Sequence, residues 1–141
     1  MILCQYLELR GVYSLIKKCL LTAIIVIHGL IHLMGGVNET GLAEVEGLAA
    51  KTLFPMPFEI QVIAGVFWFI AVILFVFTAF GLITNRRWWK TAGIIAVICS
   101  QILILIWWPA AKWGTIPNIL VIFSIYLLNF DALVRDKVKP V

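Results

Sequence analysis

Four apolar runs, each about twenty residues long and set apart by polar connections, restrict this chain to one kind of fold. A bilayer core offers no water to backbone N–H and C=O groups, so a run of this length pairs them internally as a helix. The runs fall at about 15–36, 59–83, 88–108 and 116–134, with a loop at 37–58. Hydrophobic residues make up 63% of the 141 and charged residues 13%, whereas soluble domains run at roughly half and a quarter. A chain this short and apolar could not cover its surface with polar groups in water. The expectation is an all-α integral membrane four-helix bundle, one domain over residues 1–141. Short connections at 85–90 and 109–115 make helices two to four antiparallel neighbours.

The net charge of +4 carries no nucleic-acid signal, because the basic residues cluster at the ends of apolar runs and form no basic face. Of eleven Lys and Arg, nine lie in the N-terminal stretch, the 85–90 turn and the C-terminal tail; only Lys51 and Lys112 lie on the other side. The positive-inside rule then predicts a cytoplasmic N-terminus and C-terminus, an external 37–58 loop and a multi-pass protein of the cell inner membrane. Trp88 and Trp89 would mark the inner interface, and Trp107, Trp108 and Trp113 the outer one.

The flanking segments give weaker signals. Residues 1–14 read as a short interfacial helix or a frayed end. Lys17-Lys18 before an apolar run resembles a signal peptide, but Gly35-Gly36 follows it and no A-x-A-like site does, so the run is read as a first transmembrane helix. Residues 43–53 have the pattern of a short interfacial helix, and Asn38-Glu39-Thr40 matches a glycosylation sequon. Asp131 and Arg135 are spaced to pair on one helix face. Cys4, Cys19 and Cys99 have no CxxC spacing and read as buried thiols.

The one unusual feature inside an apolar run is I-I-V-I-H-G-L-I-H-L-M-G-G, residues 24–36, which holds both histidines of the chain. His28 and His32 are four residues apart and share a helix face. With the predicted topology, His28 lies roughly 20 Å into the membrane and His32 about 6 Å further. Ser100 and Gln101 come near the middle; Glu59, Gln61 and Asn118 come near the outer rim. On the third helix Gln101, Trp108 and Lys112 fall on one stripe. Asn118 and Asn129 share a stripe of the fourth. These phases predict an outward-opening pocket lined by His28, His32, Gln101, Trp108 and Asn118, with Glu59, Gln61 and Lys112 at its mouth.

Three readings of the pair stay open. Neutral imidazoles can serve as interhelical hydrogen-bonding groups, with Ser100 and Gln101 as partners. The pair can bind a transition metal, with Glu59 as the third ligand. Or the pocket holds an amphipathic molecule, quinone- or lipid-like, which a histidine hydrogen-bonds or exchanges a proton with. Two histidines on one helix face cannot take opposite axial positions of one haem, which leaves only a single-histidine haem. No cofactor is identified, and whether the protein is an enzyme is left open. The partners expected are the lipid bilayer, the pocket ligand, and a second copy or a membrane-complex subunit for which this chain would be a non-catalytic accessory.

H-G-L-I-H-L-M-G in the first helix and A-K-W-G-T-I-P-N before the fourth resemble a group of small prokaryotic four-helix membrane proteins. By size and topology the chain is similar to the broader DoxX-like group. His28, His32, Lys112, Gly114 and Asn118 match that pattern. The resemblance implies association with quinone-linked oxidation, although the sequence has no haem, flavin or cysteine-pair signature. A more distant likeness is to four-helix sterol-isomerase and sigma-2-type proteins, whose paired intramembrane carboxylates are missing from these spans.

Overall fold

The computed structural model describes residues 2–46 and 52–137, with side chains placed for 11–46 and 52–128. Helix α1 spans Ile2–Glu39, α2 Phe58–Ile83 and α3 Trp89–Ile106. A short α4, Trp108–Ala111, and a 3-10 turn, Lys112–Gly114, lead into α5, Thr115–Lys137. Among the described residues there is no strand. Four segments are long and apolar enough to cross a membrane: Gly11–Glu39, Phe58–Ile83, Trp89–Ile106 and Trp108–Leu128. The architecture is a membrane four-helix bundle. Its helices pack in a ring, α1 on α2, α2 on α3, α3 on α5 and α5 on α1.

Helical period explains which faces meet. On α1 the buried positions Leu21, Ile25, His28, His32, Gly35 and Glu39 recur at three- and four-residue intervals. On α3 Trp89, Ala92, Ala96, Ser100 and Leu103 do the same, and the cap Trp107 continues the series. Gly29 lets α1 approach α2 closely, since a Cβ there would stand 2.8 Å from Phe75 Cβ. Gly35 lies against the ring of Trp68 in the same way, with a Cβ falling 2.7 Å from Cδ2. Large lipid-facing groups such as Ile27, Ile73, Ile98 and Phe123 are exposed, as expected where hydrocarbon replaces water.

Several expectations are corrected. No break separates residues 2–14 from the first span; α1 is one helix, because nothing in that stretch terminates it, and it runs past residue 36 to Glu39. Glu39 is therefore buried at a helix end, where Asn38 Nδ2 donates to it at 3.0 Å, and is not a loop residue. Asn38 also accepts from the Val45 N–H at 3.0 Å, so the sequon asparagine is engaged at the helix terminus. Residues 43–46 are irregular, with a bend at Ala43 and a turn at Glu46, and form no helix; residues 47–51 lie outside the described residues, and Thr52 and Leu53 are not helical.

The third helix stops at Ile106, with Trp107 at φ −97°, ψ 30° as its cap. Pro109 explains the break, since it has no N–H to bond the Leu105 carbonyl and its ring would press on that carbonyl in a continuous helix. Trp107 is 1% exposed and part of the core, and Trp89 is buried as well. Neither is an interfacial anchor. Trp88 stacks on Phe77 at 4.2 Å, while Trp108 and Trp113 are exposed. Cys19 is exposed and Cys99 half-buried, both free. Asn129 and the Asp131–Arg135 pair lie outside the residues whose side chains are described.

The 85–90 turn reverses the chain tightly, with Asn85 in the left-handed region at φ 54°. Lys18 donates to the Asn85 side-chain oxygen. Lys17-Lys18 and the Arg86-Arg87-Lys90 cluster thus share one end of the bundle.

Candidate functional site

The two histidine rings on α1 stand 4.5 Å apart, edge to face, and each is 2% exposed. His32 Nδ1 lies 2.8 Å from the backbone oxygen of His28. A carbonyl can only accept, so Nδ1 carries the proton of His32. With one proton per ring, Nε2 is then the acceptor, and the Ser100 hydroxyl donates to it at 2.8 Å. Ser100 Oγ also lies 3.2 Å from Asn118 Oδ1, but its single proton goes to the nearer imidazole nitrogen.

The remaining bonds follow in order. Having donated, Ser100 Oγ accepts from Asn118 Nδ2 at 2.9 Å. The same amide nitrogen donates to Gln101 Oε1 at 3.1 Å, and Gln101 Nε2 donates to Thr115 Oγ1 at 3.2 Å. Asn118 therefore turns its oxygen to His28, whose Nε2–H donates to it at 2.9 Å. That spends the single proton of His28 on Nε2. Its Nδ1 is left with a bare lone pair, buried and without a partner. The network ties α1, α3 and α5 together, and helix phase dictates its members. Ser100 is on the buried stripe of α3, Asn118 faces inward one turn into α5, and Thr115 starts that helix.

Beside the network lies a cavity of about 400 Å³ between α1, α2 and the α4–α5 segment. His28, His32, Trp68 and Ile104 form its buried base. Ile31, Met34 and Trp113 are exposed at its rim, and Ala110, Ala111 and Pro117 complete the wall. The cavity thus opens on the flank of the bundle. The Trp68 ring is tilted against His32 at 5.2 Å and against Trp107 edge to face at 5.8 Å. Trp68 Nε1, like His28 Nδ1, is buried without a hydrogen-bond partner. Of the three buried side-chain nitrogens without a partner among the described residues, two are on residues of this cavity and the third, Trp107 Nε1, is not; buried polar groups are ordinarily paired.

The structure gathers some of the sequence-derived candidates and separates others. His28, His32, Gln101 and Asn118 come together, with Gln101 reaching the histidines only through Asn118. Trp108, Lys112 and Glu59 are exposed and do not line the cavity. Lys112 lies 5.7 Å from the Trp113 ring, and Gln61 donates to the Met56 carbonyl at 2.9 Å. The stripe that joined Gln101 to Trp108 and Lys112 does not exist, because α3 ends between them. Among the described residues no third His, Cys, Asp or Glu gathers with the histidine pair, and both Nε2 atoms are spent on hydrogen bonds. These donors do not fit a tetrahedral metal site.

Ser100 was expected only as a hydrogen-bond partner of the histidines, and it is bonded to His32; Trp68 and Thr115 were not among the sequence-derived residues. Trp68 gave no signal within an apolar run. No family model, curated protein or solved structure matches this chain.

Proposed function

We propose that this protein binds a small amphipathic molecule, quinone- or lipid-like, in the cavity at the histidine pair. The observation that carries this reading is the cavity itself, apolar along its walls and ending on buried polar groups that lack partners. Such a lining suits a ligand with a long apolar body and a small polar end. The exposed rim of Ile31, Met34 and Trp113 lets a membrane-dissolved molecule enter from the side. Any catalysis at the site would be proton transfer or redox chemistry with histidine as acid or base.

By the positive-inside rule the basic end faces the cytoplasm of a prokaryotic cell and the cavity lies in the outer half of the inner membrane. The DoxX-like resemblance of the first helix and of the turn before Asn118 supports a quinone-like ligand.

The test uses the full chain in lipid nanodiscs, titrated separately with decylubiquinone and monoolein while tryptophan fluorescence is followed. Ala110→Phe fills the cavity from the wall away from the hydrogen-bond network. Saturable binding of either probe is expected, lost in Ala110→Phe with thermal unfolding unchanged. No saturable binding, or binding indifferent to the substitution, would sink the reading.

A second reading has its own observation. Both histidines are hydrogen-bonded to other helices or to their own backbone, which is what a purely structural polar core in an accessory subunit requires. It leaves the orphaned His28 Nδ1 and Trp68 Nε1 without explanation.

A further inference from the structure

We infer that the ligand's buried end is an un-ionised hydroxyl, an alcohol or phenol on an apolar body, which donates its hydrogen bond to His28 Nδ1. This deepens the cavity reading above and rests on it.

The order of protons in the network carries the inference. The His28 carbonyl fixes the proton of His32 on Nδ1. That makes Ser100 the donor to His32, Asn118 Nδ2 the donor to Ser100, and Asn118 Oδ1 the acceptor for His28. Each step leaves one choice for the next, and the last leaves His28 Nδ1 as an acceptor with no donor. His28 is 2% exposed and lines the cavity, so the missing donor is to come from whatever occupies it. Trp68 Nε1–H is the opposite case, a buried donor without an acceptor, available to an oxygen of the same ligand.

Other polar ends fit less well. A ketone, ester or quinone carbonyl has no hydrogen to give Nδ1. A carboxylate or phosphate would meet a lone pair, and no Lys or Arg lines the cavity to offset its charge. An ammonium could donate, but no Asp or Glu lines the cavity and its desolvation would go uncompensated. A hydroxyl is neutral, donates once and can accept, which matches both orphaned atoms.

The experiment compares para-dodecylphenol with its methyl ether, para-dodecylanisole, on the full chain in nanodiscs. The two differ by the donor. Affinities are read by tryptophan fluorescence in the wild type and in Ala110→Phe, and the His28 Nδ1 signal is followed by nitrogen NMR. The phenol is expected to bind about 10-fold more tightly, the worth of one buried hydrogen bond. It should also shift the Nδ1 signal, which the ether leaves in place. Equal or reversed affinities, with both lost in Ala110→Phe, overturn the hydroxyl inference and leave the cavity reading standing. Phenol binding that leaves Nδ1 unmoved overturns it too. If neither compound binds saturably, both readings fall.

Discussion

Ser100 Oγ stands 2.8 Å from His32 Nε2 and so joins α3 to α1 across the diagonal of the helix ring. Helices on a diagonal share little packed surface, so this bond holds a relation that side-chain packing does not. Ser100→Ala removes it and leaves His32 Nε2 and one Asn118 N–H unpartnered. The expected loss is about 1–3 kcal/mol of stability, the cost of stranding buried polar groups. A double-mutant cycle with His32→Phe, read by reversible unfolding in mixed micelles, should give a coupling of about 0.6–1.7 kcal/mol. Coupling indistinguishable from zero would show that the bond contributes nothing in solution.

Asn118 holds more of the network than any other member. It receives from His28 and donates to both Ser100 and Gln101. Asn118→Leu strands all three partners, whereas Gln101→Leu strands one Asn118 N–H and the Thr115 hydroxyl. Asn118→Leu should therefore cost at least about 1 kcal/mol more than Gln101→Leu in the same unfolding assay. Equal costs would mean that the network reorganises around the missing amide.

The spans were legible in the sequence because hydropathy and length alone decide them in a bilayer. The meeting of His28, His32 and Asn118 followed from depth and helical phase. What failed was extrapolation of phase across Trp107, where Pro109 already signalled a break and the periodic stripe was carried through it. Trp107 and Trp89 were read as interfacial because tryptophans near helix ends often are. Their burial depends on phase relative to Leu103 and Gly93, and composition near a helix end does not report phase. The cavity was legible only as a cluster of polar groups. Its walls are Ile31, Met34, Ile104 and Pro117, which nothing in an apolar sequence distinguishes from ordinary lipid-facing positions.

Gly29 offers a test of the α1–α2 contact that is independent of any ligand. A Cβ there would fall 2.8 Å from Phe75 Cβ, a backbone-anchored atom that a rotamer change cannot move. Gly29→Ala should therefore force the helices apart and cost about 1–3 kcal/mol. Gly11→Ala, with nothing within 4 Å of the new methyl, is the control. There the lost backbone freedom of glycine should leave stability unchanged or raise it by about 0.4–1 kcal/mol. A Gly29→Ala protein as stable as the control would mean that α1 and α2 are not packed at this point.

On the positive-inside rule, the direction in which the bundle would cross a membrane is set by which end carries the cations. The Lys18–Asn85 hydrogen bond puts Lys17, Lys18, Arg86, Arg87 and Lys90 at one end, and Lys112 lies beyond the other end of α3. If that basic end faces the cytoplasm, a cysteine at Arg87 is shielded from outside and one at Lys112 is not. Both positions are exposed, so burial does not confound the comparison. In a chain whose three native cysteines are replaced by alanine, Arg87→Cys should react with a membrane-impermeant maleimide only in inverted vesicles. Lys112→Cys should react in intact spheroplasts. The reverse pattern would place the cavity in the cytoplasmic half and require its ligand to enter from the inner leaflet. Reaction of both cysteines from the same side would contradict the antiparallel crossing of α2 and α3 on which the position of Ser100 opposite the histidines depends.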